Sequence, residues 1–161
     1  MGMMGLSLSL LVALSCGYYS LKGSLAPHLN TVAVPLFDNR TPEFGITETL
    51  TDAVTQEFVR DGSLKLTDQG NADVLVEGAI VSISDRAGAF DQQETVENIN
   101  VYISVRVVVT DQVKNQTMWD ERITQFGTYD PTLGPSGRQD AYDEAFDKIS
   151  QEILNKTVSN W

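Results

Sequence analysis

From residue 99 onward, Ile99, Val101, Ile103, Val105, Val107 and Val109 occupy every second position of the chain. A helix cannot gather such residues on one side, so the pattern predicts a long antiparallel strand with its odd-numbered face buried. Tyr102, Ser104 and Arg106 then face outward. Two other stretches carry the helical period. Ile46, Leu50, Ala53, Val54 and Phe58 recur at three and four, with Gly62 placed to supply a left-handed cap. Tyr142, Ala145, Phe146, Ile149 and Ile153 do the same, predicting a final helix from about residue 138 to 158.

Between these lie shorter signals. Residues 31–37 (TVAVPLF) are apolar or β-branched throughout and read as a strand, with Pro35 pointing to an edge or a bulge. Residues 64–67 read as a short strand and 68–71 as a turn. From 73 to 85 the apolar phase moves from Val74 and Val76 to Ala79, Val81 and Ile83, which predicts a bulge near Gly78. Lys114, Asn115 and Gln116 turn the chain, and residues 118–127 return as a strand with Trp119 and Ile123 on one face. The polar residues 86–98 (RAGAFDQQETVEN) and the Pro- and Gly-bearing residues 129–137 read as two long loops. The order predicts an α+β two-layer sandwich, with two helices on one face of a mixed four- to five-stranded sheet and a single domain over residues 31–161.

The chain has 161 residues, enough for one compact core. Its first fifteen residues contain no charge, and the apolar run from Leu6 to Leu14 is shorter than the roughly 20 residues a spanning helix needs. Residues 1–15 therefore read as a cleaved export signal. The positive stretch that ordinarily precedes such a run is missing, which leaves open a true start upstream of Met1. The signal ends at Cys16, the only cysteine, and Ala13-Leu14-Ser15-Cys16 resembles a bacterial lipobox, although Leu14 and Ala13 depart from its usual residues. The expectation is cleavage before Cys16, diacylglycerol on its thiol and an acyl chain on its amine. At about 0.8 kcal/mol per buried methylene, several chains anchor a protein stably where one does not. The alternative is a thiol within an uncleaved signal-anchor. Gly17 in place of Asp after the cysteine points to the outer membrane of a Gram-negative cell, periplasmic side, with residues 16–30 as a lipidated tether.

Charge and chemistry narrow the function further. With 22 acidic against 11 basic residues the net charge is −11, and the basic residues are scattered singly. A nucleic-acid surface needs them clustered against phosphates. His28 is the only histidine and falls in the tether, where it reads as exposed, so no His-containing triad and no His-rich metal site can be assembled. The adjacent carboxylates Asp120-Glu121 and Asp143-Glu144 point apart on regular backbone. Glycines 78, 88, 127, 134 and 137 form no spaced phosphate cradle. The reading is a non-enzymatic protein with no cofactor beyond its covalent lipid.

The segments 16–20 (CGYYS), 31–41 (TVAVPLFDNRT) and 50–54 (LTDAV), followed by 61–66 (DGSLKL) and 72–78 (ADVLVEG), together resemble the LptE family of lipopolysaccharide-assembly lipoproteins, in the form found in Bacteroidetes. The resemblance runs from Cys16 to the last helix. It implies a plug-like subunit inside the LptD β-barrel that helps deliver lipopolysaccharide to the outer leaflet. It also implies lipopolysaccharide contact through basic residues in loops beside the sheet. Arg86 and Arg138 are the candidates, although for each the reading as a solvated loop arginine carries more weight. The two long loops and the outward sheet face make the expected partner surface, with Phe90 and Leu133 as apolar anchors unless they fold back onto the core. A second class stays open. Residues 31–37, followed by a helix and a short strand, are also similar to lipoproteins that activate peptidoglycan synthases and to secretion-pore subunits.

Overall fold

The computed structural model describes residues 25–90 and 96–159. Its elements are β1 (Thr31–Ala33), β2 (Asp38–Asn39), α1 (Ile46–Asp61), β3 (Lys65–Leu66), β4 (Val74–Phe90), β5 (Val96–Asp111), β6 (Gln116–Tyr129) and α2 (Gly134–Ser159). Short 3-10 turns cover Gln69–Asn71 and Pro131–Leu133. The six strands form one sheet in the order β3-β1-β4-β5-β6, with β2 also paired to β4. β1 runs parallel to β3 and β4, and β4, β5 and β6 form an antiparallel meander. The architecture is the α+β sandwich expected from the sequence, with one strand more. That strand is β2, which forms because the chain leaves β4 around Pro35, a residue that cannot donate to a ladder, and rejoins it at Ala79 and Ile80.

The core lies between the sheet and the two helices. Val101, Ile103, Val105, Val107 and Val109 are fully buried, as their alternation demands. They meet Leu50, Val54 and Phe58 of α1 and Ala145, Phe146, Ile149 and Ile153 of α2. Each of the large side chains contributes roughly 1.5–3 kcal/mol relative to exposure. α1 ends at Gly62 with φ 70°, whose N–H donates to the Phe58 carbonyl. That left-handed position favours a residue without Cβ. α2 approaches β6 closely at Gly127, where a Cβ would come within 2.6 Å of the Ala141 carbonyl carbon.

Four features differ from the sequence reading. Residues 86–90 and 96–98 are strand rather than loop, and 91–95 lie outside the described residues. β4 and β5 continue as a paired hairpin from Arg86↔Asn100 out to Phe90↔Val96, with register shifts after Ala87. Residues 84–88 and 97 are exposed, so they have no covered face to impose an apolar pattern, and polarity there signals exposure rather than irregular backbone. Residues 129–137 are likewise ordered. β6 reaches Tyr129, and α2 starts at Gly134 with Pro135 in its first turn, where a missing N–H costs nothing. The bulge sits between Ile80 and Ser82 rather than at Gly78. Gly78 has another role, since a Cβ there would meet the ring of Phe37 at 2.5–2.7 Å. Finally, His28 is not simply exposed. Its Nε2 lies 2.6 Å from Oδ2 of buried Asp111, while Leu29 enters the core and Leu25 and Ala26 pack against it. The domain thus gathers in the end of the segment read as a tether.

Two aspartates fix this entry. The backbone N–H groups of Asn30 and Thr31 both donate to Asp73 Oδ2, at 2.8 and 3.0 Å. The Asn30 bond outweighs desolvation and, with the Thr31 bonds, holds Asp73 below the usual carboxylate range. Burial pushes Asp111 up, but the bonds from His28 and the Lys114 backbone N–H bring it below its ordinary value. The amino-terminal segment is therefore pinned at the β5–β6 turn, opposite the β4–β5 hairpin tip.

Candidate partner-binding surfaces

At the hairpin end the structure gathers residues that lie far apart in the chain. Arg138, in the second turn of α2, sets its Nε and Nη2 against the two carboxylate oxygens of Asp85 on β4, at 3.2 and 3.3 Å. Its Nη1 donates to Glu43 at 3.1 Å, and the guanidinium lies 5.0 Å from the centre of the Tyr142 ring. Partial burial opposes the charge, yet the bonds to Asp85 and Glu43 prevail and raise the Arg138 pKa above the ordinary arginine value. Arg138 is thus a clasp joining β4, the loop before α1 and α2, in a helix rather than the expected loop. An external anion would have to compete with two carboxylates already in place.

Arg86 is in a different state. It lies in β4, exposed, and its guanidinium sits 4.7 Å from the centre of the Tyr102 ring. It makes no ion pair among the described residues. Asp85, Arg86, Ala87, Ile99 and Pro131 line a cleft of about 270 Å³ at this end. Leu133 stands beside it in the chain, 56% exposed and close to Gly137 and Tyr129. Leu133 therefore does not fold back onto the core. Phe90 is the last residue of β4, and its side chain lies outside the described residues, as does Cys16.

The second surface is the outward face of β4, β5 and β6. Strand register places its residues in cross-strand rows: Arg86, Asn100 and Thr128; Ser84, Tyr102 and Phe126; Ser82, Ser104 and Thr124; Ala79, Arg106 and Arg122. The Ser104 and Thr124 hydroxyls bond at 2.8 Å, and the Tyr102 and Phe126 rings are 5.2 Å apart. Arg106 forms a two-pronged pair with Asp120, at 3.0 and 2.7 Å, and its hydrogen bond holds Asp120 below the usual carboxylate range. The outward direction of Tyr102, Ser104 and Arg106 was legible from alternation. Arg122, Thr124 and Phe126 were not singled out, although they alternate with buried Ile123 and so fall on the outward face.

The third surface is the solvent side of the helices. Glu48 and Asp52 on α1, and Asp140, Asp143 and Asp147 on α2, are exposed and make no ion pair among the described residues. The helical cations are all engaged. Arg60 pairs with Glu57, Arg138 with Asp85 and Glu43, Lys148 with Glu144, and Lys156 with Glu121. Among the described residues no group of three His, Cys, Asp or Glu could hold a metal ion, and no helix is long and apolar enough to cross a membrane.

The domain is a small two-layer α+β sandwich whose broad exposed faces differ in charge. The chain belongs to the LptE family: the model of that family, described as lipopolysaccharide-assembly, matches residues 29–157. It is thus a lipopolysaccharide-assembly lipoprotein of the bacterial envelope. Among solved structures it is similar to the rare lipoprotein B from Shewanella oneidensis, at 16% identity and TM-score 0.54, covering 81% of this chain and 96% of that one. A hypothetical protein from Chlamydia trachomatis matches at 15% identity and TM-score 0.59, over 82% of this chain and 99% of that one. PelC from Paraburkholderia phytofirmans, a dodecamer, matches at 12% identity and TM-score 0.59, over 86% and 95%. At such identities these likenesses show the shared fold. No curated protein matches the chain by sequence.

Proposed function

We propose that this chain is a non-enzymatic outer-membrane lipoprotein, held on the periplasmic side through an acylated Cys16, that partners an LptD-like β-barrel in lipopolysaccharide transport and outer-membrane assembly. The observation that carries the reading is the family match over residues 29–157, which takes in nearly the whole described domain. The surfaces support it in kind. Leu133, in the short turn between β6 and α2, offers an exposed apolar anchor. Of the two candidate lipopolysaccharide contacts, Arg86 is the better placed, because Arg138 is already satisfied by Asp85 and Glu43.

Depletion tests the proposal. Loss of the chain should lower lipopolysaccharide at the cell surface and the amount of correctly assembled barrel. If depleted cells keep both while peptidoglycan synthesis falls, the protein is a synthase activator and this reading is wrong.

A further inference from the structure

We infer that the outward face of β4, β5 and β6 is the surface on which this chain docks against an acidic wall of its barrel partner, with Arg86, Arg106 and Arg122 as the charges that recognise it. The inference rests on the partner proposed above. It adds the face, the residues and the chemistry of the opposing surface.

The first observation is a cost without an internal return. Arg106 and Arg122 are directly opposed across β5 and β6. Like charges at such positions destabilise a sheet. Asp120 relieves Arg106, but Arg122 has no carboxylate partner among the described residues. Packing gives no reason for Arg122, since it is exposed and contributes nothing to the core. An opposing anion outside the chain would supply one.

The second observation is the distribution of charge. In a chain of net charge −11 the exposed helical carboxylates Glu48, Asp52, Asp140, Asp143 and Asp147 make no ion pair among the described residues, while every helical cation there is held by a carboxylate. On the sheet the balance inverts. From the row of Ala79, Arg106 and Arg122 to the row of Arg86, Asn100 and Thr128, the outward face carries three arginines, and Asp120 in the adjoining row is the carboxylate bound to one of them. Glu77 lies beyond, toward the opposite end. An acidic partner is therefore attracted to the sheet face and repelled by the helices, which fixes orientation as well as affinity.

The third observation is the shape and composition of the face. It is a three-stranded surface, roughly 14 Å wide from strand spacing. Among its serines and threonines it carries three arginines and two aromatic residues, kinds enriched at protein interfaces, and several are pre-ordered: Arg86 lies over Tyr102, Tyr102 beside Phe126, and Lys148 over Phe126 at 4.8 Å. A small ligand or a free glycan calls for a concavity. Among the described residues a cleft lies at the Arg86 end of the face, beside Pro131, and its lining includes neither Arg106 nor Arg122. A broad protein wall fits better.

The test uses the full-length tagged chain co-expressed with the barrel protein and purified in detergent, with barrel retention measured through a salt series. The double reversal Arg86→Glu and Arg122→Glu should weaken retention on the order of tenfold and flatten its salt dependence. Reversal of Glu48 and Asp143 to Lys should leave it unchanged. Both variants should melt close to the wild type, because none of the four side chains makes an ion pair among the described residues. A wild-type chain that retains no barrel overturns the partner reading, and this inference with it. A wild-type chain that retains the barrel while the double reversal retains it equally at every salt concentration overturns the inference alone. So does a double reversal that keeps the barrel but loses binding to purified lipopolysaccharide, which would make the face a glycolipid platform.

Discussion

Replacing Gly127 with alanine should be among the most damaging single-methyl additions to this fold. The added Cβ would stand 2.6 Å from the carbonyl carbon of Ala141 and 2.8 Å from its Cα. Comfortable carbon–carbon contact is about 3.5 Å or more, so α2 would have to withdraw from β6 by roughly 1 Å. The obstacle is helix backbone, which has no rotamer to change. The neighbours Ala141, Ala145, Phe146 and Ile149 are all essentially fully buried, so withdrawal opens gaps along the whole interface. Overpacking against a rigid neighbour costs about 1–3 kcal/mol, and the upper half applies here. At about 3 °C per kcal/mol for a domain of this size, Gly127→Ala should melt about 6–9 °C below the wild type. The matched control is Gly70→Ala, where nothing lies within 4 Å and φ is not positive. It should change stability by less than about 1 kcal/mol. Thermal melts and urea titrations of the two variants measure the difference. Equal melting of Gly127→Ala and the wild type would refute the close approach of α2 to β6.

Four further outcomes are expected. Val105→Asp buries an unpaired carboxylate at a fully buried position and should destabilise the domain by about 3–5 kcal/mol in a urea titration, whereas Ser104→Asp on the other face should be tolerated. Arg138→Met leaves Asp85 and Glu43 without their cation, and since all three are partly exposed the loss should be about 1 kcal/mol by calorimetry. Because the Asp111 pKa is depressed in the folded state, its contribution is present above the ordinary carboxylate range and is lost as pH falls through the lower folded value. Asp111→Asn should therefore cost about 2 kcal/mol near pH 6–7, a cost that shrinks as pH falls below the ordinary carboxylate range, as followed by melts across pH. Mass spectrometry of the membrane fraction should find a mature chain beginning at an acylated Cys16, and a chain retaining Met1 or a free Cys16 thiol would remove the lipid anchor from the account.

What the sequence revealed, and what it hid, follows from where the core lies. β5 was legible over residues 99–109 because the helices cover its odd-numbered face and leave the other in solvent. The same logic made α1 and the buried face of α2 readable. It failed in the hairpin from Arg86 to Phe90, which carries no apolar alternation. The bulge was misplaced because Gly78 looks like a break in phase, when it is small to make room for Phe37 from a segment about forty residues away. Arg138 was singled out, but its two carboxylates lie 53 and 95 residues away in the chain, and no local pattern reports such a clasp. Arg122 shows the opposite case. Its position opposite Arg106 follows once β6 is registered on β5, and that register is set by the β5–β6 turn, where Asn115 adopts φ 53°.

The central claim is partnership with an outer-membrane β-barrel, and a single pull-down addresses it directly. The tagged chain would be extracted in mild detergent from its own cell envelope, and the proteins that stay bound through a salt wash would be identified and quantified by mass spectrometry. The account predicts one LptD-like barrel in near-equal amount with the tagged chain. A peptidoglycan synthase in that amount instead, or the tagged chain recovered only as a homo-oligomer with no barrel, would contradict it.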